Sequence, residues 1–195
     1  MGGTYVLHWA LFTQGSLQAR VLCALVPFTA TLVFALVGLG LVPLDVLVKT
    51  ATRSGRREEL LSGPLLYGLV HSLLTVVFFT ASPAGAIAVA VLCWGDGAAE
   101  LAGRSYGVAR LPHSPGKTWA GSAACLVAGF VFSLAYASLF RHLATFDRPV
   151  SVRELAVGCG LCAAAGTLAE SLPLEGDNLW VPLATVVTSV WWFGF

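Results

Sequence analysis

Apolar residues run along this chain in long blocks, broken by short polar segments that hold most of its charge. Full-length blocks cover about 21–44, 64–81, 85–103, 119–140 and 154–172. A shorter block covers 5–12, and a last one runs through 178–195. A run of roughly 18 or more apolar residues reads as a membrane-crossing helix. The pattern therefore predicts an all-α, polytopic transmembrane bundle of about six to seven membrane segments, forming a single domain over 1–195. No internal repeat or low-complexity tract interrupts it.

The order of the polar segments predicts which of them meet. If the 21–44 block leaves the bilayer on one face, KTATRSGRREELLSG (49–63) lies there. The next block returns to the opposite face at Ser82-Pro83-Ala84-Gly85, and the one after it delivers WGDGAAELAGRSYGVARLPHSPGKTWAGS (94–122) to the first face. The 119–140 block leaves again, and 154–172 comes back with SLPLEGDN (171–178). Three polar segments far apart in the chain are thus expected on one side. Lys49, Arg53, Arg56, Arg57, Arg104, Arg110 and Lys117 fall on that side, against Arg20, Arg141, Arg148 and Arg153 on the other. The excess assigns the motif-bearing face to the cytosol or its topological equivalent, such as the stroma, where nucleotides are found.

Composition sharpens this picture. Of 195 residues, 57% are hydrophobic and 11% charged, and the mean hydropathy is +0.81; a soluble domain carries about 25% charged residues. A net charge of +1 without a basic stripe excludes a nucleic-acid binder. The cysteines, Cys23, Cys93, Cys125, Cys159 and Cys162, all fall in apolar blocks, where cysteine behaves as a small hydrophobe. Cys159-Gly-Leu-Cys162 has the spacing of a redox or zinc pair but lacks a second pair or a nearby histidine, so it reads as helix packing. His8, His71, His113 and His142 are scattered without ligand spacing. The opening MGGTYVLHWALF has neither a basic n-region nor an Arg/Ser-rich presequence, so no signal or transit peptide is recognisable.

The candidate chemistry lies in 94–122. Asp96 and Glu100 are four apart and share a helix face. Ionisable residues at membrane depth point to function by default. Two carboxylates with phosphates as remaining ligands suit Mg²⁺; the competing reading is an ion pair of Glu100 with Arg104, also four apart. Gly95, Gly97, Gly103 and Gly107 let either a neighbouring helix or a phosphate approach the backbone. The GxxxxGK[ST] spacing of a P-loop is absent. Leu111-Pro112-His113-Ser114-Pro115-Gly116-Lys117 reads as a rigid turn ahead of the next helix, which Ser114 or Ser122 can cap. That helix N-terminus is an anion site, and Lys117 adds a point charge for a phosphate, or else snorkels at the interface. Glu170 and Glu175-Gly176-Asp177-Asn178 arrive on the same face; Asp177 and Asn178 complete a metal site, bind a nucleotide, or form a turn and cap. Arg56, Arg57, Glu58 and Glu59 read as a solvated interfacial run.

These motifs resemble the phytol/farnesol kinase branch of the polyprenol kinase family, which is related to dolichol kinases and, more distantly, to phosphatidate cytidylyltransferases. The resemblance rests on Gly95-Asp96-Gly97-Ala98-Ala99-Glu100-x-x-Gly103-Arg104-x-x-Gly107 and Leu111-Pro112-x-Ser114-Pro115-x-Lys117-x-Trp119-Ala120-Gly121-Ser122. It extends to Arg53-x-Gly55-x-x-Glu58-Glu59-Leu60-Leu61-x-Gly63-Pro64-Leu65, Glu170-Ser171-Leu172-Pro173 and Asp177-Asn178-x-x-Val181-Pro182-Leu183-Ala184. It implies CTP-dependent transfer of the γ-phosphate to an isoprenoid alcohol, phytol first, in a plastid (chloroplast) membrane as part of tocopherol synthesis. Farnesol, geranylgeraniol, or the chemistry of a lipid cytidylyltransferase are the alternatives. A transporter is the alternative of another class, and it commonly shows inverted repeats. Family members also carry an earlier Arg-Lys-x-x-His segment and two acids before the asparagine. This chain has only His8 near its start and Gly176-Asp177 at the second place, so an N-terminal helix is expected to be missing.

Taken together, Asp96, Glu100 and Lys117 are the expected catalytic residues, with Asp96 and Glu100 on the metal. Gly95, Gly97, Gly103, Arg104, Gly107, Lys117, Ser122, Asp177 and Asn178 are expected around the nucleotide. Asp96, Glu170 and Asp177 are all candidates for the general base. Membrane lipid, the alcohol and CTP are the expected partners.

Overall fold

A computed structural model describes residues 2–12, 16–52, 54–143, 145–174 and 176–194; Arg53 and Glu175 lie outside them. A 3-10 segment (Gly2–Leu11) precedes α1 (Leu17–Gly38) and the short α2 (Asp45–Ala51). A 3-10 turn (Arg57–Leu61) leads into α3 (Gly63–Val77). Then α4 (Pro83–Ala90), a π turn (Val91–Asp96) and α5 (Gly97–Tyr106) follow without a break. A hairpin of β1 (Arg110–Leu111) and β2 (Ser114–Thr118) enters α6 (Trp119–His142), and α7 (Val152–Ser171) and α8 (Asp177–Phe193) complete the chain. Among the described residues, five stretches are long and apolar enough to cross a membrane: Leu17–Gly38, Arg57–Val77, Pro83–Tyr106, Trp119–His142 and Val152–Ser171. The all-α polytopic bundle is as expected.

Small side chains decide which helix is central. The Pro83–Tyr106 stretch has 61% of its apolar window buried, against 33% or less for the other spans. Its PAGAIAVA segment has no polar face, and small residues let neighbouring backbones approach closely from several sides. One cluster packs Trp9, Phe79, Tyr136 and Phe140 around it; the other packs Ile87, Val91, Cys159, Cys162 and Val181. The 5–12 block is thereby accounted for: Val6 and Trp9 are fully buried, with the Trp9 ring 5.6 Å from Phe79 and 6.2 Å from Phe140. All five cysteines are free, and Cys159 and Cys162 are buried in the helix packing. The outward faces carry exposed Leu22, Val26, Leu73, Val127, Val187 and Trp191, an apolar surface suited to lipid.

Local chemistry sets the helix ends. Ser16, Ser82, Thr118 and Ser151 cap α1, α4, α6 and α7 through their side-chain oxygens. The α6 cap is thus Thr118, neither Ser114 nor Ser122, because β2 runs directly into the helix and places the Thr118 hydroxyl 3.0 Å from Gly121 N. The segment read as a rigid turn is a hairpin. The 21–44 block also shifts: α1 stops at Gly38, where Gly40 turns at φ +74° and the amides of Leu41 and Val42 fold back onto Leu36 O.

The far face closes where alternation places it. Asp147 N donates to Ala81 O at 2.9 Å, Arg148 Nε to Phe193 O at 2.8 Å, and Trp192 Nε1 to Glu154 O at 3.1 Å. The turns that follow α2, α5 and α7 gather at the opposite end.

Candidate active site

A cavity of about 1160 Å³ opens at that end. Its wall draws on 49–63 through Glu59, Ser62 and Gly63, on α5 through Ala99, Glu100, Gly103 and Arg104, on the hairpin through Arg110, Gly116 and Lys117, and on α7 and α8 through Glu170, Asp177 and Asn178. The three polar segments do meet. Asn178 ties two of them together, its Nδ2 donating to Gly63 O at 3.3 Å.

Three elements each bring one carboxylate to the cavity floor. Asp96 ends the π turn, Glu170 sits at the last turn of α7, and Asp177 opens α8 behind Gly176, whose φ of +86° turns the chain back. One oxygen of each lies within 4.8 Å of the others. Wide π turns recur at functional sites because they reset which residues face inward. This one places Gly95 against α6, where a side chain would meet the Cys125 carbonyl at 3.3 Å, and leaves Asp96 to the cavity.

Lys117 reaches across from β2. Its Nζ donates to Glu170 Oε1 at 2.8 Å and to Asp177 Oδ2 at 2.6 Å. Half-burial pulls its ammonium toward the neutral form, but the hydrogen bonds and charges of Asp177 and Glu170 outweigh this, and its pKa lies above the ordinary lysine value. Glu170 is only 4% exposed. The second oxygens, Glu170 Oε2 and Asp177 Oδ1, are buried without a hydrogen-bond partner. With all three carboxylates ionised, one ammonium would leave two negative charges uncompensated, a balance that a bound cation would restore. An all-oxygen donor set with open lone pairs suits Mg²⁺.

Other expected residues fall at various depths. Glu100 lines the cavity and pairs with Arg104 at 2.6 Å, both partly exposed at its rim. Gly103 and Gly107 line it as well, whereas Gly95, Gly97 and Ser122 lie outside the lining. Neither Asp177 nor Asn178 caps α8, since their side chains go to Lys117 and Gly63. Sequence reasoning passed over Glu59, Tyr67 and Arg110 as site residues. Glu59 hides in an evenly charged run, and Tyr67 sits inside an apolar block with nothing to single it out. Glu170 carried the same signal as Asp96, an acid at the end of a span.

Fold and site together define a polytopic helical membrane protein with a carboxylate–lysine centre at one end of its bundle. The chain belongs to the Cytidylyltransferase family, whose model it matches over residues 1–173. It is 38% identical over 205 residues to phytol kinase 1, chloroplastic, of Arabidopsis thaliana, covering 100% of this chain and 64% of that protein. It is 37% identical over 196 residues to a probable phytol kinase, chloroplastic, of Triticum aestivum, covering 99% of this chain and 64% of that one. To farnesol kinase, chloroplastic, of Arabidopsis thaliana it is 33% identical over 190 residues, 96% of this chain and 61% of the relative. The chain thus spans less than two thirds of the length of these relatives. No solved structure matches it. The resemblance drawn from the motifs holds.

Proposed function

We propose that this chain is a CTP-dependent kinase that transfers the γ-phosphate of CTP to the hydroxyl of an isoprenoid alcohol, phytol first, in a chloroplast membrane. The observation that carries the reading is the cluster of Asp96, Glu170, Asp177 and Lys117, assembled from four elements at one end of an apolar bundle. The names of the relatives, phytol and farnesol kinases of the chloroplast, supply the acceptor class and the location. A 20-carbon alcohol at about 0.8 kcal/mol per buried CH₂ stays in lipid, so the enzyme must bring its polar site to the bilayer.

Phosphoryl transfer asks the protein mainly for positioning and charge compensation. Asp96, Glu170 and Asp177 would hold Mg²⁺, which supplies neutralising charge at the nucleotide phosphates. Glu100, on the same wall as Asp96, stays with Arg104 at the rim, where the guanidinium faces arriving phosphates. Lys117, already held by two carboxylates, offers its remaining donor to the transferred group. The alcohol oxygen attacks the γ-phosphorus, the bond from phosphorus to the CDP oxygen breaks, and the hydroxyl proton leaves. Gly103 and Gly107 bring backbone to the nucleotide side of the cavity.

The test uses membranes holding this chain, γ-labelled CTP and phytol. Label in phytyl phosphate that disappears in Asp96→Asn, with that variant still inserted, supports the reading. Unchanged transfer by Asp96→Asn refutes the assignment of the acid. The family description favours one second reading, lipid cytidylyl transfer. It releases pyrophosphate instead of CDP, so the nucleotide product separates the two.

A further inference from the structure

A partly buried polar chain, with His71 at its buried end, is left unused by the kinase reading. Tyr67, in the first turns of α3, lines the same cavity as Asp96 and Lys117, beside apolar Phe34 and Leu66. Its hydroxyl meets Cys93 Sγ on the π turn. Cys93 Sγ lies 3.3 Å from His71 Nε2, and His71 Nδ1 lies 2.8 Å from Tyr67 O. A carbonyl oxygen only accepts, so Nδ1 must be the N–H, and Nε2 of the neutral ring is then the acceptor. Cys93 S–H therefore donates to His71, and Tyr67 O–H donates to Cys93. With its own proton committed inward, the Tyr67 oxygen presents only lone pairs to the cavity.

We propose that this oriented chain receives the acceptor alcohol and takes its proton. The inference rests on the kinase reading and adds to it the acceptor site and the base. A ligand group that docks on Tyr67 Oη must be a donor, and an alcohol hydroxyl entering along Phe34 and Leu66 is one. As the oxygen bonds to phosphorus, its proton passes to Tyr67 Oη, the proton of Tyr67 passes to Cys93 Sγ, and the thiol proton passes to His71 Nε2. One proton leaves the alcohol and one arrives on the imidazole, while Tyr67 and Cys93 end as they began. The imidazolium so formed keeps its Nδ1 hydrogen bond and lies against the Tyr67 ring, with centroids 4.3 Å apart, within cation–π range. With a cation bound, the lone pairs of Asp96, Glu170 and Asp177 would be taken up, which leaves the alcohol proton to another group.

Steady-state kinetics against CTP and phytol separately test this. Tyr67→Phe keeps the ring on His71 and removes only the oxygen. Turnover should fall about 100-fold or more, as for loss of a general base, with KM for CTP within about threefold of the parent. Cys93→Val should cost a similar factor and Cys93→Ser, which still relays, should restore most of the rate. The double variant Tyr67→Phe/Cys93→Val should be no slower than Tyr67→Phe alone, because one chain can be broken only once. Unchanged turnover in Tyr67→Phe, a loss confined to KM for CTP, or multiplying losses in the double variant would each overturn the proposal while leaving the kinase reading intact. Absence of any transfer by the parent chain overturns both.

Discussion

Replacing Glu170 by glutamine removes one charge from the cluster without changing its shape, and the electrostatics give an unusual expectation. At an effective dielectric of about 20, the Lys117–Glu170 attraction over 2.8 Å is about 6 kcal/mol. Glu170 also lies within 4.8 Å of Asp96 and of Asp177, and each of those repulsions is at least about 3.5 kcal/mol on the same footing. The two repulsions together match the attraction, and the neutral amide also escapes the desolvation cost of a buried carboxylate. Glu170→Gln should therefore be neutral or mildly stabilising when divalent ions are chelated. Saturating Mg²⁺ should reverse the order. A ligand at 100 times its dissociation constant stabilises the parent by about 2.7 kcal/mol, and the variant forgoes most of that. Thermal unfolding of the solubilised protein, followed by tryptophan fluorescence with chelator and then with Mg²⁺, reads both terms. A variant several kcal/mol less stable in chelator, or one that gains as much from Mg²⁺ as the parent, refutes the reasoning.

The opposite change follows from the same cluster. Lys117→Met leaves Glu170 and Asp177 without their ammonium, and breaking a buried pair in this way costs about 3–5 kcal/mol. Chelator should expose the full loss and Mg²⁺ should recover part of it, in the same unfolding measurement. Away from the site, Gly166→Ala would place a methyl 2.4 Å from Val91 Cγ1 and 3.0 Å from Thr185 Oγ1, where α7 crosses the central helix. Overpacking of that kind costs about 1–3 kcal/mol. The unfolding midpoint should drop, and an unchanged midpoint would mean that the helices can part there without penalty.

Much of this architecture was legible because a bilayer leaves few choices. A block of apolar residues must become a helix to satisfy its own backbone, and alternation of spans then dictates which loops share a face. That argument brought 49–63, 94–122 and 171–178 together, and the cavity lining agrees. Local polar chemistry was read less well. The hairpin at 110–118 depends on backbone pairing across Pro112 and His113, which no apolar period announces. The early end of α1 depends on Gly40 turning inside an apolar run. Phe79 stands at φ +40°, a conformation that its burial against Trp9 holds in place.

Hydrophobic patterning by itself determined the class of protein, the number of crossings to within one or two, which polar segments meet at one end, and most of the charged residues at the cavity. Each of these follows from the cost of placing a polar group in lipid, which acts residue by residue and so is written in linear order. Only the tertiary structure decided which acids are partners. Asp96 and Glu100 are neighbours on paper, yet the π turn and the Arg104 ion pair separate their surroundings, while Glu170 and Asp177 arrive beside Asp96 through the packing of α7 and α8 on the central helix. Distances of a few ångströms between residues some 70 positions apart arise from how side chains interlock, and no local pattern encodes that.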